Sequence, residues 1–183
     1  MHKGRSVGEP FQGKHPVIGA NVYVAPTARV IGDVELADGS SVWEHAVVRG
    51  DMWHIRIGAL TNIQDLCICH VTNGGPPVVV GSRVTVGHRA ILHSCTVEDS
   101  CLIGMGAILL DGVRVGTGSI VAAGSVLLQG FEVPPFSLVA GVPATVKKTL
   151  DRSAIERIAR KAEEYHKLAL AYLGRGAYVL PEG

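Results

Sequence analysis

The stretch NIQDLCICHVTNGGPPVVVGSRVTVGHRAILH, residues 62–93, sets apolar residues on a six-residue beat at Ile63 and Cys69 and again at Val80, Val86 and Leu92. The beat runs back from it through Ile57, Val48, Val42, Leu36, Val30 and Val24, and forward through Val97, Ile103, Leu109, Val115, Val121 and Leu127. A small or β-branched residue follows many of these leads four positions later, as at Ala28, Ser40, Ala46, Thr61, Ala90, Thr96, Ala107, Ser119 and Ser125. A hexad is too short for a helical layer. It suits a short β-strand and a turn, with alternate side chains pointing inward and Gly or Asp at corners. Such a unit cannot bury its apolar face alone, so successive units must stack into a solenoid that shares one core. An aromatic content of 5% fits a narrow interior lined by Val, Ile, Leu and Ala.

The beat is interrupted twice, by nine residues from Val48 to Ile57 and by eleven from Cys69 to Val80. Each insert is expected to form a loop. The second, TNGGPP at 72–77, is turn-rich and should protrude directly after His70. Past Leu127 the pattern fades through EVPPFSLVAGVPATVKK, residues 132–148, into a predicted helix over 152–173. Ser153 and Glu156 have capping-box spacing, and Ile155, Ile158, Ala159, Ala162, Tyr165, Leu168, Ala169, Tyr172 and Leu173 form an apolar stripe that should pack back along the solenoid. Gly174 is the expected stop.

The repeat over 17–144 resembles the hexapeptide-repeat family. That resemblance implies a mainly β fold, a left-handed parallel β-helix with three hexads per coil. The hand comes from the resemblance alone, because general crossover rules favour the right. The whole chain, 1–183, is expected to be a single domain.

Composition narrows the function classes. With 17 basic and 16 acidic residues and a net charge of +1, the chain has no electrostatic footprint for nucleic acid or an anionic membrane. The amino terminus lacks the apolar run of a signal peptide, and no stretch has the roughly 20 apolar residues that span a bilayer, so a cytoplasmic location is expected. Cys67, Cys69, Cys95 and Cys101 have neither C-x-x-C spacing nor disulfide-framework density, and read as reduced thiols.

With three hexads per coil, His70 and His93 are each the second residue of hexads one full coil apart, and stack on one face. Strands about 4.8 Å apart allow two imidazoles to converge on one ion. His88 is the third residue of the preceding hexad, on another face, so one subunit does not bring all three rings together; a three-fold trimer would. The count also puts Arg49 one coil before His70 and stacks Asp65 with His88, while His54 lies in the first insert.

RGD at 49–51, TNIQD at 61–65, CICHVT, VTVGHRAILHSC and LIGMGAILLDG resemble, in order and spacing, the γ-class carbonic anhydrase-like family. The resemblance implies a homotrimer with His70, His88 and His93 as ligands of zinc, or of iron or cobalt in its place. It implies an interfacial ion pair from Arg49 and Asp51, interface support from Asp65, catalytic polar groups at Asn62 and Gln64, and Tyr165 near the pocket. The implied reaction is hydration of carbon dioxide to bicarbonate through a zinc-bound hydroxide. Two family features are missing: TNGGPP has no carboxylate to export the proton, and Met52 stands where the archetype has glutamate. Two other classes fit the same repeat, a CoA-dependent acyltransferase and a non-catalytic trimer tied together by metal.

Overall fold

The computed structural model describes residues 8–176. Its strands wind as a left-handed parallel β-helix, from Val17–Ile18 to Ser137–Gly141, which pairs antiparallel with a final strand Ala144–Thr149. Every strand before that last pair is parallel to its neighbours, as coil stacking demands. The leads of the hexads point inward: Leu36, Val42, Val48, Ile63, Cys69, Val86, Leu92, Val97, Ile103 and Leu109 are all 0% exposed and form one continuous core. All four cysteines lie free in that core. Burial pushes the thiols of Cys67, Cys95 and Cys101 up to about 12, so they pack as small apolar groups.

Two local expectations are corrected. The first insert is not a detached loop: strand Val47–Ile57 continues through it, paired with Arg29–Leu36, while Asp51, Met52, Trp53 and His54 bulge out opposite Asp33. Gly50 permits this, because a Cβ there would lie 2.5 Å from the Asp33 carbonyl oxygen. Thr96 is not an inward partner. Since Val97 arrives one residue early, Thr96 faces outward beside Val79 and Arg114, and Ser94 and Cys95 take the buried places.

The three faces differ in what they present. One carries an outward ladder in register, Val47, Ile68, Ile91, Ile108 and Val126, whose Ile68 is 42% exposed. A second is charged, with Arg56 paired to Asp33 at 2.8 Å and to Glu35 at 3.3 Å, and Arg114 to Glu98 at 3.7 Å. The third is covered by the helix Arg152–Tyr172, which contacts Tyr23–Val24, Ser41–Val42, Asn62–Ile63 and Thr85–Val86.

The helix buries Ile158, Ala162 and Ala169 of the expected stripe, together with Ala154, which the stripe did not include, whereas Tyr172 at its end is 61% exposed. Its start differs from the capping-box reading. Asp151 is the N-cap and accepts from the Ala154 amide at 2.8 Å, with Ser153 donating to the same carboxylate, because Asp151 has the extended backbone a cap needs. The end is as read: Gly174 has φ of 68°, and the amides of Gly174 and Arg175 return to Ala171 and Leu170, a Schellman closure. Tyr23, Trp43, Tyr165 and Tyr172 seal the helix's end, and His166 Nδ1 meets the Gly39 carbonyl at 3.0 Å. None of the helices described is long and apolar enough to cross a membrane.

Candidate metal centre

Arg49, His70 and His93 occupy one outward ladder across three successive coils, in register in strands Val47–Ile57, Ile68–His70 and Ile91–His93. The parallel pairing brings His70 Nδ1 to 3.3 Å from His93 Nε2. Each ring has a carboxylate on its far side. Asp51, carried back by the bulge, meets His70 Nε2 at 3.0 Å; Asp111, from the turn of the next coil, meets His93 Nδ1 at 2.6 Å.

These carboxylates decide what the facing nitrogens are. An ionised carboxylate only accepts, so the N–H of each neutral imidazole lies on the carboxylate side, and the facing nitrogens carry lone pairs. Two lone pairs at 3.3 Å repel unless a cation sits between them. With metal–nitrogen bonds of about 2.0–2.1 Å and tetrahedral angles, two ligand nitrogens stand about 3.3–3.4 Å apart. The pair therefore has the span of one edge of a tetrahedral site.

Electrostatics favour that state. Burial pushes the Asp51 carboxyl up, but hydrogen bonds from Arg49 and His70 outweigh it and hold it below the ordinary carboxylate range. Asp111 is likewise lowered, because bonds from Thr72 and His93 overcome burial. Burial, with the nearby Arg49 charge and His93, lowers His70 despite the opposing pull of Asp51 and keeps its ring neutral, the form that binds metal.

His88 is elsewhere. It stands at the corner between the histidine face and the helix-covered face, where Arg89 takes the left-handed φ of 63° and donates its amide to the Asp65 carbonyl. His88 Nδ1 pairs with Asp65 at 2.8 Å, the stacking expected from the hexad count. Among the described residues of one chain, no group of three or more His, Cys, Asp or Glu is arranged to hold a metal ion.

The predicted catalytic groups travel with His88, not with the histidine pair. Asn62 stacks between Ser41 and Thr85 beneath the helix, 1% exposed, and donates to the Thr85 hydroxyl at 3.0 Å. Gln64 is 4% exposed and donates to Asn62 Oδ1 at 3.0 Å. Trp43 lies one coil before Gln64, and Tyr165 meets the Trp43 ring edge-on at 5.5 Å. Arg49 and Asp51 pair within the chain. His54 packs against Trp53 with ring centroids 5.3 Å apart. Asp111 was not singled out from the sequence, since an Asp-Gly pair reads as an ordinary turn. Nor was Thr72, which opens the 72–77 loop and donates to the other Asp111 oxygen at 2.6 Å.

The coil repeat defines a hexapeptide-repeat protein. Residues 15–50 and 94–129 match the family described as bacterial transferase hexapeptide (six repeats), and 77–109 match the hexapeptide repeat of succinyl-transferase. The chain belongs to the γ-carbonic anhydrase-like branch of these proteins. It is 41% identical over 156 residues to a carbonic anhydrase of Geobacillus kaustophilus, covering 85% of each chain. Gamma carbonic anhydrase 1, mitochondrial, of Arabidopsis thaliana is 41% identical over 169 residues, 90% of this chain and 62% of that one, so the chain spans about three-fifths of the plant relative. A crystal structure of a hexapeptide transferase family protein from Anaplasma phagocytophilum superposes with a TM-score of 0.86 at 36% identity, covering 90% of this chain and 96% of the other.

Proposed function

We propose that this protein is a zinc-dependent carbonic anhydrase, hydrating carbon dioxide to bicarbonate at sites shared between the subunits of a homotrimer. The observation that carries the reading is the 3.3 Å approach of two imidazole nitrogens, each backed by a carboxylate that turns its lone pair toward the other. His70 and His93 of one subunit and His88 of its neighbour hold the metal; iron or cobalt suits the same nitrogen set.

The surface supports the trimer. The apolar ladder runs along the histidine face, and Leu66 and Met105, 51% and 59% exposed, flank Asp65 and His88 at the corner. Docking that face against a neighbour's corner buries both apolar sets and brings His88 to the histidine pair. Asn62, Gln64 and Tyr165 arrive on the same side as His88, opposite the ligand pair.

Bound there, the metal supplies a Lewis acid that ionises water near neutral pH. The chain supplies the rest. Asp51 and Asp111 fix the ligand rings, the Gln64 amide orients the attacking oxygen, and Asn62, buried beneath the helix, accepts from Gln64 and holds that amide in place. Met52, 48% exposed on the bulge, cannot carry a proton, and the loop after His70 has no carboxylate, so proton export falls to buffer.

The test is stopped-flow carbon dioxide hydration on zinc-loaded, metal-quantified protein, beside His93→Ala and with added imidazole. Histidine-dependent hydration that rises with imidazole is expected. Rates equal to the variant, with about one metal bound per subunit, would refute the activity. A second reading follows from the transferase name of the structural relative, and it separates cheaply: acyl transfer needs acetyl-CoA and survives a chelator.

A further inference from the structure

The ring of His93 closes the strand Ile91–His93 on the outer face, and the backbone fixes only where it starts. The last torsion of an imidazole is broad and roughly two-fold, so packing alone leaves either nitrogen able to face His70. Asp111 removes that choice. Its Oδ1 lies 2.6 Å from His93 Nδ1, and its Oδ2 accepts from the Thr72 hydroxyl at 2.6 Å. With both oxygens engaged the carboxylate cannot swing away.

The backbone that carries Asp111 is itself pinned to the coil above. The Gly112 amide donates to the Ser94 carbonyl at 2.8 Å, and the Val113 amide closes the turn on Leu110 at 3.1 Å. Thr72 is fixed independently, its amide donating to the Ser94 hydroxyl at 2.8 Å. Asp111, His93, Ser94 and Thr72 therefore form one hydrogen-bonded knot across three coils, at the base of the 72–77 loop. Asp51 plays the matching part behind His70, but from the bulge and in company with Arg49.

We propose that Asp111 is the positioning residue that sets the tautomer and orientation of the His93 ligand, and that through Thr72 it ties the 72–77 loop to the metal site. The assignment rests on the metal reading above. Without the carboxylate, His93 carries its proton on either nitrogen, and metal binding must first select the ring orientation that the intact knot holds in advance. A hydrogen-bonded partner behind a metal-bound histidine changes affinity by about 10- to 100-fold. Asp111→Ala should show a loss in that range, and Asp111→Asn a smaller one, since its amide oxygen still accepts from His93 while its NH₂ turns to Thr72.

The experiment is a competitive cobalt(II) and zinc titration against a chromophoric chelator on the full-length protein, wild type beside His93→Ala, Asp111→Ala, Asp111→Asn and Thr72→Val. The cobalt absorption spectrum and the melting temperature of each metal-free variant are recorded in parallel. The expected order of affinity is wild type, then Asp111→Asn, then Asp111→Ala, with cobalt bands shifted in Asp111→Ala and little binding by His93→Ala. A lowered melting temperature with unchanged affinity and spectrum in both Asp111 variants would overturn the assignment, because a purely structural role moves only stability. Wild-type protein that binds no metal would overturn the metal reading itself, and the assignment with it.

Discussion

A site divided between subunits predicts a result that no single-chain site gives. His88→Ala removes one side of every interface and leaves the His70–His93 pair intact; His93→Ala does the reverse. Neither change should unfold the solenoid. His88 meets Asp65 at 2.8 Å with side chains 42% and 38% exposed, a contact worth under about 1 kcal/mol at such exposure. His93 is an outward residue of its strand. Each variant alone should lose its metal.

Mixed one to one in trimers, an interface is complete only when the pair comes from a His88→Ala subunit and the third ligand from a His93→Ala subunit. Each occurs with even odds, so about one quarter of the sites should be restored. The assay is metal content by atomic absorption on protein made by co-expressing two differently tagged variants and purified through both tags in turn. That selection removes homotrimers and raises the restored fraction to about one third. No recovered metal, or full metal in His88→Ala alone, would refute the shared site.

Other outcomes follow from the packing and charges. Leu92→Ala, at a core position 0% exposed in the His93 strand and paired in register with Cys69, should lose about 2–5 kcal/mol in a denaturant titration. The folded-state pKa of His70 is depressed below 6.5 and those of Asp51 and Asp111 below 3.8, so each adds stability above its ordinary value and loses it as pH falls through the lower folded one. The metal-free melting temperature should then fall first below about pH 6.5, a step flattened by His70→Ala, and again below about pH 4. All four thiols should resist a thiol reagent at neutral pH in the native protein and react on unfolding; burial keeps three of them protonated up to about 12.

The solenoid was legible because its signal is local and repeated. An inward side chain every six residues is a property of the chain itself, and stacking coils turns it into one core whatever the details of each turn. The same arithmetic placed Arg49, His70 and His93 in one ladder and His88 beside Asp65, since parallel pairing preserves register. The helix stripe and its glycine stop were readable for the same reason. Its cap was not, because Asp151 and Ser153 both suit the role and the backbone angle chooses between them.

What tertiary structure alone decided lies where the repeat breaks. The bulge of Asp51 to His54 depends on Gly50 passing the Asp33 carbonyl, and only that turn brings Asp51 to His70. Beyond the shortened step from Leu92 to Val97, Asp111 closes on His93 from 18 residues further along the chain, and Thr72, 21 residues before His93, holds the Asp111 carboxylate there. Asn62 and Gln64 became buried because the terminal helix, more than eighty residues later in the sequence, covers their face. A beat of six specifies which way each side chain points, whereas the protonated nitrogen of an imidazole is set by the group behind it, and that group comes from wherever the irregular coils happen to meet.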